Sequence, residues 1–98
     1  MPKARLPELQ RFMSFVEIPK ESGCWLWMAQ KDKCGYGHFK SNLRDWLAHR
    51  WSYEYFRGDL KSHLTIDHLF RRVACVNPFH LEQVTNKENV RRQKAEGR

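Results

Sequence analysis

The segment TIDHLF, residues 65–70, sets an aspartate directly before a histidine, after Thr-Ile and before Leu-Phe. Metal-assisted phosphodiester hydrolysis needs few protein groups. One base takes a proton from water, and hard oxygen ligands hold a divalent cation against the leaving oxygen. Histidine suits the base because its pKa lies near working pH. Aspartate and a neutral amide oxygen suit the cation. Asp67 and His68 are neighbours, so in an ideal strand they face opposite sides. They serve one site only if the strand ends at the pair and the following loop turns His68 inward. A further ligand or supporting group must then come from Asn77, His80, Asn86 or Asn89. Each of three has a plainer use: Asn77 as turn chemistry before Pro78, His80 as a satisfied structural histidine, and Asn89 as a solvated polar residue on a helix.

Soft ligands form a second set. Cys24, Cys34 and Cys75 are an odd number without a C-x-x-C pair, so a disulfide framework is not expected. Together with His80 they would supply a Cys₃His set for a structural Zn²⁺. The plainer reading is buried, unreactive thiols.

The elements that must position these groups follow from periodicity. LPELQRFMSFV repeats apolar residues at Leu9, Phe12, Phe15 and Val16, a helical period, after a basic N-terminal arm. CWLWM (24–28) predicts a short strand, KDKCG a turn, and YGHFK (36–40) the returning strand of a hairpin. From Ser41 the period becomes helical. Ser41 or Asn42 serves as cap, Leu43, Leu47, Trp51 and Tyr55 follow at steps of four, and Gly58 stops the helix. HLTID (63–67) and HLEQV (80–84) read as short strands flanking an Asn-Pro loop. Thr85 and Glu88 have capping-box spacing, so a last helix starts at Asn86 and runs towards the terminal Gly-Arg. The C-terminal end is therefore strand, loop, strand, helix. We expect an α+β chain, with a basic arm and short helix over residues 1–22 and one compact domain over 23–98.

Composition sets the partner class. Lys and Arg number 18 against 11 Asp and Glu, a net charge of +7, which suits a polyanion such as nucleic acid. Trp46, Trp51, Tyr53, Tyr55 and Phe56 are expected in the core. No run of about eighteen apolar residues is present, and the N-terminus lacks the charged-then-apolar pattern of a signal peptide. A cytoplasmic protein without membrane contact is expected.

GCWLWMAQKDKCGYGHF, LAHRWSYEYFRG, TIDHLF and ACVNPFHLEQVTNKENVRR resemble successive blocks of phage-type HNH endonucleases, members of the ββα-metal (His-Me finger) superfamily. The likeness covers roughly residues 23–92, and its last block is the most specific. It implies a small ββα-metal finger at the C-terminal end, preceded by a β-hairpin and a helix. It implies that the first strand ends at the Asp-His pair, with the metal between that turn and the helix. Carried over, His68 resembles the general base, Asp67 a metal ligand, and Asn89 the second ligand on the helix. His80 matches the middle position that orients the base, and Asn77 competes for that role. Relatives often carry Cys where this chain has Phe70, which puts an intact zinc site in doubt, whereas Cys24 matches a frequent position. His49, in AHR, also matches; its role is a phosphate contact or an internal hydrogen bond, with the structural reading favoured.

The expectation is a metal-dependent endonuclease acting on double-stranded DNA with Mg²⁺ or Mn²⁺. Arg71, Arg72, Arg91 and Arg92 would contact phosphates. A monomer would nick, and a homodimer could cut both strands. The rivals are a non-catalytic basic DNA-binding module and a basic RNA-binding or assembly protein.

Overall fold

The computed structural model describes residues 6–21, 23–41, 43–58 and 60–95. Its elements run α1 (Leu6–Ser14), β1 (Val16–Glu17), β2 (Leu26–Trp27), β3 (His38–Ser41), β4 (Arg44–Leu47), α2 (Ala48–Arg57), β5 (Thr65–His68), a 3₁₀ turn (Pro78–His80), β6 (Leu81–Val84) and α3 (Asn86–Ala95). The strands form three antiparallel pairs, β1–β2, β3–β4 and β5–β6. The α+β class holds, as does the order of a hairpin and helix before a β5–β6–α3 finger. Among the described residues, no helix is long and apolar enough to cross a membrane.

Three local expectations differ from the structure. The segment 36–40 does not return onto 24–28. β3 pairs forward with β4, His38 opposite Leu47 and Ser41 opposite Arg44, while β2 pairs back onto β1. The contacts across the expected turn stay near its tip, with Lys31 bridging Gly37, Asp32 N–H donating to Tyr36 O and His38 N–H to Gln30 O. The helix expected from residue 41 starts at Ala48 instead. Leu43 has a φ of 62°, a left-handed conformation that an α-helix of L-residues does not tolerate, so the chain reverses there and 44–47 continues as a strand. Ser41 is the buried end of β3, and the alternative cap Asn42 lies outside the described residues, as do the arm at 1–5 and the terminal Gly-Arg. α1 also ends earlier than the apolar period suggests, because Val16 joins β1.

The main core joins Phe12 of α1, Trp27 of β2, Phe39 of β3 and Ala48 and Trp51 of α2 to Val76. Phe12 stacks on Trp51 at 4.5 Å and meets Phe39 edge-on at 5.1 Å. Each such aromatic pair adds about 0.5–1.5 kcal/mol beyond simple burial. Trp27 lies flat against Gly37, where any Cβ would overlap the indole, so that position excludes larger residues. A second cluster, Tyr53, Ile66 and Leu81, packs α2 under the β5–β6 pair.

The long connection between β5 and β6 is tied down at its middle. Trp27 N–H donates to Ala74 O at 2.9 Å, and Val76 N–H donates to Trp25 O at 2.7 Å. The buried Ser52 hydroxyl donates to Val76 O at 2.6 Å. Arg57, at the end of α2, donates to the carbonyls of Pro78 and Leu81 at 3.1 and 2.9 Å. These bonds hold the finger against the core.

Candidate active site

β5 is buried through Ile66, Asp67 and His68, and ends there. Asp67 pairs with Glu82 and His68 with Leu81. The chain then turns, with Leu69 N–H donating to His80 O at 2.9 Å and Arg71 N–H donating to His68 O at 3.0 Å. Arg71 adopts a φ of 59°, which places its side chain on an exposed, sharply turned loop with Arg72. The strand pleat sends the two site residues to different neighbours. Asp67 meets α3, where its Oδ2 accepts from Arg92 Nη1 at 3.1 Å. His68 meets α2 and the turn before β3: its ring lies 4.6 Å from His49 and 5.8 Å from Tyr36.

α3 is placed by its cap. Thr85 Oγ1 accepts from Glu88 N–H at 3.0 Å, which is half of the expected capping box. The Glu88 side chain turns to Arg91 and Arg92 instead, accepting at 2.7–2.9 Å. Hydrogen bonds from Arg91 and then Arg92 hold the Glu88 carboxyl down to about 2. Arg92 binds Glu82 and Glu88 at 2.8 Å besides Asp67, and these carboxylates keep its guanidinium more basic than usual. Asn89 stands one helical turn before Arg92, on the same face of α3. Its Oδ1 is buried and accepts no hydrogen bond from the described residues.

That orphaned oxygen bears on a cation. A buried, unbonded amide oxygen is costly to keep, and with a carboxylate it makes the hard donor set that Mg²⁺ or Mn²⁺ prefers. Asp67 and Asn89 are of the donor types that would suit such an ion, and Asp67 already accepts from Arg92.

His80 falls elsewhere. Its Nδ1 is 3.6 Å from both Cys24 Sγ and Cys75 Sγ. The three ligand atoms lie within 4.8 Å of one another. Burial, followed by smaller contributions including Cys24, pushes the Cys75 thiol up. The Phe70 ring packs edge-on against His80 at 4.6 Å, so an aromatic borders the group. Cys34 is corrected out of this set: it sits in the exposed turn over residues 33–34, with its N–H on Asp32 Oδ1. Cys24, Cys75 and His80 fit a metal with a taste for sulfur. Asn77 is a turn and tether residue. Its Oδ1 accepts from Phe79 N–H at 2.9 Å, and its Nδ2 donates to Gly23 O at 2.7 Å.

The sequence offered only an open choice for His49 and nothing for Tyr36. His49 is 5% exposed, in the first turn of α2. Burial, then the His68 and Arg50 charges, lowers its pKa to about 3, so the ring is neutral. Its Nδ1 is buried and has no hydrogen-bond partner among the described residues. No periodicity or spacing in the sequence marks Tyr36, 32 positions before His68, as its neighbour.

Residues 47–91 match the family model for the HNH endonuclease. A search of curated proteins found no match. Among solved structures, the HNH homing endonuclease I-HmuI, described for its DNA binding and cleavage, superposes with a TM-score of 0.61 at 24% identity. The likeness covers 87% of this chain and 51% of that one, so the chain spans about half the length of that structure. At this identity the superposition establishes the fold.

Proposed function

We propose that this chain, with its HNH-type endonuclease segment over residues 47–91, is a metal-dependent endonuclease acting on double-stranded DNA. The observation that carries the reading is the junction of β5 and α3. A buried Asp67 meets α3, which also carries the unbonded Asn89 oxygen. His68 ends the strand on the opposite face, towards α2, so the attacking water is proposed to lie at the strand end, where both faces are reached.

In the proposed reaction His68 takes the proton from a water whose oxygen attacks phosphorus, and the bond to the 3′ oxygen breaks. Asp67 and Asn89 would hold Mg²⁺ or Mn²⁺, which supplies charge stabilisation for the phosphate and the departing oxygen. Arg71 and Arg72, on the exposed loop beside the strand end, are the better-placed phosphate contacts. Arg91 and Arg92 bind carboxylates, so a phosphate would compete with those pairs for them. One site cuts one strand, so a monomer nicks and a homodimer could cut both.

His80 supports the base through the loop it anchors. With Cys24 and Cys75 it would hold Zn²⁺, tying the segment before β2 to the β5–β6 connection. Metal analysis of purified protein checks this: about one bound zinc whose removal lowers Tm supports it, and zinc-free protein of unchanged stability contradicts it.

A second reading draws on one contact. The Arg92 guanidinium on Asp67 occupies a position that a cation would share, as expected for a basic module that binds DNA without cutting. Plasmid relaxation separates the two. Conversion of supercoiled plasmid to open circle with Mg²⁺, and its loss on chelation, supports the endonuclease. Retarded but uncut plasmid would establish the binding module.

A further inference from the structure

Three rings from distant parts of the chain meet at the inner side of β5. His49 lies 4.6 Å from His68, inclined at 60°, and Tyr36 contacts both, at 5.7 and 5.8 Å. Each partner is itself held. Asp32 Oδ1 accepts from the backbone N–H groups of Cys34 and Tyr36, and Asp32 N–H returns to Tyr36 O at 2.9 Å. The first residue of α2, Ala48, donates its N–H to Gly37 O at 2.8 Å, which fixes the helix start that carries His49. The rings therefore rest on two rigid supports, not on mobile loop tips.

We propose that His49 is a positioning residue for the base: with Tyr36 it forms a ring clamp that sets the plane of the His68 imidazole. The inference rests on the reading of His68 as general base. A base that pivots loses catalytic rate, because proton transfer needs the ring nitrogen within hydrogen-bond reach of the water. His49 is too buried to serve as a surface phosphate contact. Its neutrality matters for a second reason. When His68 takes the proton it becomes a cation, and a charged neighbour at this distance would oppose that step. An uncharged neighbour does not oppose it. On this account the clamp needs an aromatic ring at position 49 and does not need its nitrogens to exchange protons.

The test compares His49→Ala, which removes the ring, with His49→Phe, which restores it. If His49→Ala fails to fold, His49→Leu takes its place, filling the space without an aromatic. With Mg²⁺ and plasmid DNA, the ring-less variant should lose about ten- to hundredfold in kcat at unchanged KM, the scale of a misplaced catalytic group. His49→Phe should recover most of that loss. An arm independent of activity uses nitrogen-15 spectra of the histidine rings at about pH 8, where ordinary imidazoles are neutral. The His68 ring signals should stay sharp and near their wild-type positions in His49→Phe, and should move or broaden in the ring-less variant. Full kcat without the ring overturns the clamp, and so does a His49→Phe protein as slow as His49→Ala. If the wild type does not nick at all, the endonuclease reading fails while the spectra still decide the clamp.

Discussion

Asn89 combines two properties that rarely coincide without a reason: it sits on the face of α3 turned to β5, and its buried oxygen bonds to no described residue. A buried acceptor left unbonded costs about 1–3 kcal/mol. Replacing it with leucine should therefore leave metal-free protein at least as stable as the wild type by urea unfolding, while nicking is lost. A clear drop in stability would show that Asn89 already has a structural partner. Asp67→Ala should keep the fold but raise the Mg²⁺ needed for half-maximal nicking by about tenfold or more, the scale on which even outer partners of a metal site act. An unchanged metal titration would place the ligands elsewhere. His49 makes a prediction about acid stability. Its folded pKa, near 3, lies below the ordinary value of 6.5, so the unfolded chain binds the extra proton and stability falls as pH drops through that window. The slope approaches about 1.4 kcal/mol per pH unit. His38 acts in the opposite sense. Hydrogen bonds that its ring donates to Asp32 and then Asp45 raise its pKa, and the resulting stability is present below the ordinary histidine range and lost as pH rises through the raised value. Unfolding followed from about pH 7 to 4 should be steeper for the wild type than for His49→Phe. Parallel curves would show that His49 is not held neutral by the fold.

At the scale of elements, the start of α3 is capped by the Thr85 hydroxyl. Thr85→Ala removes the acceptor for Glu88 N–H and should cost about 1 kcal/mol in urea unfolding. It should also weaken nicking, since the first turn of α3 carries Asn89. Full stability in this variant would mean that the Arg92 ion pairs alone seat the helix. The C-terminal elements were legible in the sequence because their signals are local: two short β-type runs, an Asn-Pro turn between them, and a Thr that caps. The middle of the chain was not. Leu43, Leu47, Trp51 and Tyr55 keep a helical spacing across a strand and a helix, and only the left-handed φ at Leu43 and pairing with β3 decide where one becomes the other. Likewise 24–28 and 36–40 both have strand character, but which strand each one pairs with is a tertiary choice. For the site, Asp67, His68 and Asn89 stood out by residue type and by the likeness of their spacing to a known family. Tyr36 and the ring contact of His49 depend on how three separate segments meet, and no periodicity encodes that. The intramolecular engagement of Arg91 and Arg92 was equally hidden, because nothing in the spacing shows that three carboxylates converge on Arg92.

Taken as a whole, the molecule is a +7 chain whose aromatic core includes the N-terminal helix through Phe12. Binding to DNA should therefore be largely electrostatic, losing affinity as salt rises with a slope of about −0.9 for each phosphate neutralised. Replacing Arg71 and Arg72 together with Ala should flatten that slope by up to about two units, on unrelated duplexes alike, because phosphate contacts carry no direct sequence information. Replacing Arg91 and Arg92 should flatten it less, and should destabilise the protein through the lost Asp67, Glu82 and Glu88 pairs. A larger salt effect from the second pair would reverse this assignment. Activation of the attacking water by His68 is tested by the single-turnover nicking rate of wild-type and His68→Ala protein on supercoiled plasmid, at saturating Mg²⁺ and equal DNA occupancy. Loss of a positioned general base predicts a fall of roughly a hundredfold to ten-thousandfold with binding and circular dichroism unchanged. Nicking by His68→Ala at the wild-type rate would contradict the account.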